Sequence, residues 1–244
     1  MTRVFYEKPL EKTSSNPIIL EEDDSRHLKA LRHRDGDIIT VSDNQGSMFH
    51  AKIIDIEKRR VPLILMDHEL VEKDSEHPVT LYQALLKGEK NEYLIQKCTE
   101  LGISKIVFYA SLNCVAKFSD SPRKLERWRK VAKMAAMQCG RAFIPEIEYI
   151  GNMTAAMKQL KKSDSSVLFY EHAFTHFSSF LNKICRPPNN FLFFVGPEGG
   201  FTSDEAADAV GYGCQLLSLG PRILRAETAS VAALSAYRLF TREM

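Results

Sequence analysis

The chain has 244 residues, 44% of them hydrophobic and 26% charged, with 12 Gly and 10 Pro, averages that exclude disordered, collagenous and low-complexity classes. A chain of this length buries a real core as one large domain or two modest ones, and no run of about eighteen apolar residues exists to span a membrane. The net charge of +2 decides nothing about partners. The stretch from Met1 to Lys8 lacks the apolar segment of a secretory signal, which makes the cytoplasm the expected compartment. Cys98, Cys114, Cys139, Cys185 and Cys214 are an odd number without C-x-x-C or Cys/His spacing. That argues against a disulfide framework and against zinc, and for reduced packing residues, so no metal is expected.

The first seventy or so residues read as short strands with one helix. Glu21 to Arg34 carries Leu28 and Leu31 among charges and loads its first turn with Glu21, Glu22, Asp23 and Asp24, as a helix dipole favours. Asp37 to Val41 is a strand ahead of the turn Asp43-Asn44-Gln45-Gly46. Phe49 to Ile56 alternates apolar and polar, the period of a half-buried strand. Val61 to Leu65 is a third run, and Pro62 suggests a sheet edge. The expected product is a small β-barrel-like module over residues 1–72, with a polar linker from Glu69 to Pro78.

From Val79 the pattern changes. Val79 to Leu86, Ile103 to Ala110, Val167 to Tyr170, Phe191 to Val195 and Cys214 to Leu219 are apolar runs of strand length. Helical segments lie between most of them: Glu89 to Leu101, Pro122 to Gln138, Met153 to Leu160 and Ser203 to Val210, with Glu227 to Phe240 at the end. Apolar strands alternating with helices predict an α/β second domain, 79–244, whose mostly parallel sheet is covered on both faces. Ligands bind beyond the carboxyl ends of such strands. Charge also divides here: residues 1–78 hold 12 Lys/Arg and 16 Asp/Glu, the remainder 21 and 15. Seven cations cluster in Lys117 to Lys133 (Lys117, Arg123, Lys124, Arg127, Arg129, Lys130, Lys133) against Asp120 and Glu126. They form either a solvated helix face or a contact for a polyanion.

The sharpest signal is Phe191 to Glu205, where an apolar strand ends in Gly196-Pro197-Glu198-Gly199-Gly200 and a helix follows at once. Thr202 and Glu205 have capping-box spacing, and Gly199 and Gly200 permit close approach of a ligand to the backbone. The loop reads as an ordinary strand-to-helix turn, as a phosphate site, or as a site for a neutral or zwitterionic cofactor. A phosphate site is weakened by the missing Gly-Lys-Ser/Thr, the missing G-x-G-x-x-G and the acid Glu198. Leu216 to Arg225 repeats the design, with Gly220-Pro221 after a strand. Two such loops side by side enclose one ligand, flanked by Leu219, Ile223 and Leu224. The small residues Ala229, Ser230, Ala232 and Ala233 make one face of the last helix either core or dimer surface.

Gly196 to Gly200, followed by Leu219-Gly220-Pro221-Arg222-Ile223-Leu224-Arg225-Ala226-Glu227-Thr228-Ala229, resembles the ribosomal small subunit methyltransferase E family. Lys87 to Lys90, Gln96 to Gly102, Arg127-Trp128, Gln138 to Arg141 with Pro145, His27-Leu28, Leu31-Arg32 and Gly36-Asp37 are similar to the same family, so the resemblance covers almost the whole chain. It implies a SPOUT-type fold with a C-terminal trefoil knot behind a PUA-like module. It also implies a homodimer that methylates uracil N3 in 16S ribosomal RNA, or in the small subunit, with S-adenosylmethionine. The implied cofactor residues are Val195, Gly196, Pro197, Glu198, Gly199, Gly200, Leu219, Gly220, Ile223, Leu224, Arg225 and Ala229. The RNA contacts are Arg3, His27, Arg32, Lys87, Lys117, Arg127, Lys130, Gln138 and Arg141. One departure stands out: Asn113-Cys114 occupies the place of the family's usual Arg-Ser pair, so an RNA-facing cation is absent there. For the chemistry, Arg225 is the candidate for stabilising charge, with Glu227 or Glu198 as proton acceptor. The competing function is a non-catalytic RNA binder that keeps the fold.

Overall fold

The computed structural model describes residues 2–10, 17–71, 74–118, 122–160 and 165–244. Met1, linker residues 72 and 73, the expected end of the first domain at 72, and Asp120 lie outside them. The chain forms two compact units, Met1–Asp74 with Ala136–Ile144, and Ser75–Ala135 with Pro145–Met244.

The first unit holds β1 (Arg3–Phe5), β2 (Ile18–Leu20), α1 (Glu22–Ala30), β3 (Ile38–Ser42), β4 (Ser47–Ile53) and β5 (Val61–Leu70). They make a five-stranded sheet in the order β1-β3-β4-β5-β2. α1 starts with three acids in its first turn, as the dipole argument expected, and stops at Ala30, short of the expected Arg34. Leu28 is fully buried in the core beside Val41, Phe49 and Leu63, and Ala136 and Met137 join that core. β5 is not an edge, because β2 covers it, with Ile19 opposite Pro62. Pro62 is tolerated there for a local reason. Its carbonyl accepts from Ile54 N–H at 3.0 Å, one residue past the end of β4. Its missing N–H would point to that same side, where the ladder has already stopped. β1 and β2 escaped the sequence reading, since three residues are too few to display a period.

The second unit contains β6 (Val79–Ala84), α2 (Lys90–Glu100), β7 (Lys105–Ala110), α3 (Pro122–Cys139, its end in the first unit), β8 (Glu146–Asn152), α4 (Met153–Met157), β9 (Ser165–Phe169), α5 (Phe177–Lys183), β10 (Phe191–Val195), α6 (Ser203–Gly211), β11 (Gln215–Leu217) and α7 (Ala226–Thr241). The six strands form a sheet in the order β11-β9-β10-β6-β7-β8, and every pairing is parallel. β10 is buried at all five positions, as a strand covered on both faces must be. β8 and α5 were not read from the sequence. β8 (Glu-Ile-Glu-Tyr-Ile-Gly-Asn) is a half-buried edge strand, and α5 has barely two turns, three of its residues buried.

α7 packs on α2 and β10. Of its small residues, Ala229, Ser230 and Ala233 are buried in the chain's own interior and Ala232 is half-buried, so most of that face is core. Among the cysteines, Cys98 and Cys214 are buried as packing residues, whereas Cys139 and Cys185 are exposed. No described helix is long and apolar enough to cross a membrane, and no metal-capable cluster of His, Cys, Asp or Glu occurs among the described residues.

Candidate active site

Beyond the carboxyl ends of β9, β10 and β11 lies a cavity of about 700 Å³, the position an open parallel sheet offers a ligand. One wall is Val195 to Phe201, following β10, and a second is Ser218 to Ala226 with Ala229. Phe169, Tyr170, Glu171, Ala173 and His176, following β9, make the third, and Lys90 closes the rim. All twelve residues that the resemblance assigns to the cofactor line this one cavity.

Local chemistry sets each wall. Thr202 caps α6: its hydroxyl accepts from Glu205 N–H at 3.1 Å, and the Glu205 carboxylate accepts from Thr202 N–H at 3.0 Å. The reciprocal pair expected from the sequence therefore forms. Gly200 turns back with φ +67°, a left-handed conformation suited to glycine, and its N–H donates to Pro197 O at 3.0 Å. The second loop is tied by Ser218, whose hydroxyl accepts from Gly220 N–H at 3.2 Å. The Ser218 backbone bonds Thr175 O and Phe177 N–H, both at 2.8 Å, which joins the β9 and β11 walls.

The electrostatics are mixed. Glu198 Oε1 accepts from Lys90 Nζ at 3.0 Å and from Lys87 N–H at 3.1 Å. Burial alone would raise the Glu198 carboxyl, but Lys90 and the backbone N–H groups outweigh it and hold it below the usual carboxylate value. Glu198 is thus a fixed anion in the wall. Lys90 Nζ also faces Glu227 Oε2 at 3.7 Å. That oxygen is buried and has no hydrogen-bond partner among the described residues. Arg225 stands at the N-cap of α7 and lines the cavity, whereas Glu227 lies behind Lys90 and not on the cavity wall.

The expected RNA-contacting residues divide by environment. In the first unit, Arg32 and Gln138 are exposed and His27 is half-buried. Arg3 donates to Gly140 O and Arg141 is paired with Asp74, so both guanidinium groups serve the unit's own structure. In the second unit, Lys87 and Lys117 are exposed. Arg127 and Lys130 share the open face of α3, with Trp128 and Ala132 buried behind them. Arg127 reaches Glu92 at 2.8 Å and Lys130 lies 3.8 Å from Glu126. Asn113 is exposed, and its side-chain amide donates to the glycine loop, to Gly199 O and Gly200 O at 3.2 Å. The β9 wall was missed from the sequence, because Tyr170, Glu171 and His176 belong to no glycine motif.

A parallel α/β sheet with a two-loop cavity beyond its strand ends is the build of an enzyme that holds a small ligand there, and the family matches give its class, an RNA-modifying transferase. Residues 73–238 match an RNA methyltransferase domain and residues 20–65 an RNA methyltransferase PUA domain. Ribosomal RNA small subunit methyltransferase E of Buchnera aphidicola is 32% identical over 239 residues, covering 96% of this chain and 91% of that protein. The methyltransferase E structure from Neisseria gonorrhoeae, bound to S-adenosyl methionine, superposes with a TM-score of 0.88 at 28% identity, covering 98% of this chain and 97% of that one. A Legionella pneumophila methyltransferase in complex with the cofactor SAM gives 0.86 at 28% identity, over 98% and 97% of the two chains. This chain belongs to the ribosomal RNA small subunit methyltransferase E family.

Proposed function

We propose that this protein is an S-adenosylmethionine-dependent methyltransferase acting on N3 of a uridine in 16S ribosomal RNA, as naked RNA or within the small subunit. The observation that carries the reading is the shared wall: residues of two separate glycine loops, with Val195 of β10 and Ala229 of α7, line one cavity of about 700 Å³, a volume suited to a nucleoside-sized ligand. Its charges are mixed, Glu171 and Glu198 beside Lys90, Arg222 and Arg225, which suits a zwitterion. They do not suit a polyphosphate, which the fixed anion Glu198 would repel. The trefoil knot through residues 196–200 and 219–225 belongs to the proposal, as does a homodimer. Exposed Leu112, Val115 and Ile223 beside the loops support the dimer, and sedimentation at the monomer mass would remove it. A ribosomal RNA substrate puts the enzyme in the cytoplasm.

Bound in the cavity, S-adenosylmethionine supplies a methyl group on a sulfonium whose leaving group departs neutral, so the transfer needs no metal. Uracil N3 carries a proton and is a poor nucleophile until it is lost. Arg225 stabilises the negative charge that develops on O2 or O4, which lowers the pKa of the base. Holding N3 in line with the methyl supplies much of the remaining acceleration. The N3 proton passes to Glu227 or Glu198, the two carboxylates the family resemblance offers, with Lys90 placed between them and keeping Glu198 ionised. Glu227 holds the Lys90 ammonium in place from behind. The target uridine is presented unstacked, as enzymes acting on bases require, and Arg32, Lys87, Lys117, Arg127, Lys130 and Gln138 offer exposed polar groups to the RNA.

Titration with S-adenosylmethionine by calorimetry, with ATP as control, tests the reading. Binding of the methyl donor alone is the expected result. Binding of ATP alone would make the protein a nucleotide enzyme, and binding of neither would favour the non-catalytic RNA binder.

A further inference from the structure

Asn113 stands where the family resemblance leads one to expect an arginine turned to RNA. Its surroundings give it different work. Asn113 Nδ2 donates to Gly199 O and to Gly200 O, both at 3.2 Å. Both partners are pure acceptors, so only one orientation of the amide satisfies them. The residues on either side are pinned. Leu112 N–H donates to Glu205 Oε1 at 2.9 Å, the carboxylate that also closes the α6 capping box. Cys114 Sγ donates to Leu85 O at 3.4 Å.

Two buried side chains treat the start of the same loop alike. Tyr109 OH donates to Val195 O at 3.2 Å, and burial pushes its phenol well above the ordinary value, so it stays a donor. Gln83 Nε2 donates to Gly196 O at 3.3 Å while its Oε1 accepts from Ser230 OH at 2.6 Å. The carbonyls of 195, 196, 199 and 200 are therefore held by side chains from β6, β7 and the segment after β7. In a trans peptide the N–H points opposite to the C=O. The Gly199 carbonyl shares its peptide with the Gly200 N–H that closes the loop on Pro197 O, and the Gly200 carbonyl shares its peptide with the Phe201 N–H, so fixing both carbonyls fixes the shape of the loop that walls the cavity.

We infer that Asn113 is a positioning residue of the cofactor loop rather than an RNA contact, orienting the Gly199 and Gly200 peptides and thereby setting the affinity for the methyl donor. The assignment rests on the proposed methyl transfer. Asn113→Ala raises the Kd and KM for S-adenosylmethionine about tenfold, the loss expected of two modest hydrogen bonds. KM for RNA and kcat at saturating cofactor do not move. Asn113→Asp, equal in size but an acceptor facing two acceptors, is weaker than Asn113→Ala, an order that a space-filling role does not produce. A rise in KM for RNA with cofactor Kd unchanged overturns the assignment, as does an Asp variant equal to wild type. Wild-type protein that binds no S-adenosylmethionine overturns the functional reading and the assignment together. Equal binding by wild type and Asn113→Ala overturns the assignment alone.

Discussion

At Gly199 the loop has no space for a side chain. A Cβ there would sit 2.9 Å from Asn113 Cβ and 3.3 Å from Asn113 O, atoms near the backbone that cannot swing away as the tip of a long side chain can. At Gly200 the nearest atom is the mobile Glu171 Oε1, and the constraint is the left-handed φ of +67° instead. Gly199→Val is therefore expected to abolish S-adenosylmethionine binding by calorimetry while RNA affinity, read by filter binding, stays close to wild type. Joint loss of both would overturn the picture of separate cofactor and RNA surfaces. These residues were legible in the sequence because glycines and Gly-Pro pairs punctuate otherwise apolar strands. Tyr170, Glu171 and His176 were not legible. They follow β9, and only the pairing of β9 with β10 and β11 brings them opposite the glycines.

Elements repeat the lesson in another form. α3 was legible because its cations and apolar residues alternate with helical period, and it separates them: Arg127 and Lys130 are exposed while Trp128 is almost fully buried. Lys124 lies 5.3 Å and 5.2 Å from the ring centres of Phe118 and Trp128, so that cation partly serves packing. Arg127 pairs with the partly exposed Glu92 and Lys130 with the exposed Glu126, pairings worth little in water and easily exchanged for phosphate. Replacing both with Ala should weaken RNA binding and reduce the slope of log affinity against log salt by about two. Thermal stability should hold, because such surface pairs contribute only about 0–1 kcal/mol. An unchanged slope would return α3 to the role of a solvated face. Elements with mixed polarity or few residues, such as β8 and α5, stayed invisible to periodicity because neither shows a run long enough to carry one.

At the scale of the whole molecule, the second unit is closed by a buried arginine whose partners lie far apart in sequence. Arg238 is 1% exposed. Its guanidinium donates to Ser75 Oγ at 2.8 Å, to His77 O at 2.9 Å, to Glu243 Oε2 at 2.5 Å and to Gly102 O. Glu243 in turn accepts from Ser75 OH at 2.9 Å and from Glu76 N–H at 2.8 Å. The C-terminal turn is thereby fastened to the segment that enters the unit, a pairing across more than 160 residues that no local pattern announces. Burial pushes the Glu243 carboxyl up, but the Ser75 hydroxyl, the Arg238 charge and the Glu76 N–H outweigh it and hold it below its ordinary 4.5. A carboxylate depressed in the folded state contributes stability above its unfolded pKa and loses it as pH falls through the folded value. Glu243→Gln keeps the shape but removes the charge opposite Arg238. At pH 7 it should lower the thermal midpoint, by about 2–4 °C for each kcal/mol lost. The gap to wild type should begin to close as the pH drops below the ordinary 4.5 and vanish below the lower value at which folded Glu243 takes up its proton. Paired melts from pH 7 to pH 3 read this directly. A gap that stays constant across that range would mean that the carboxylate contributes shape and hydrogen bonds but no charge to holding the terminus.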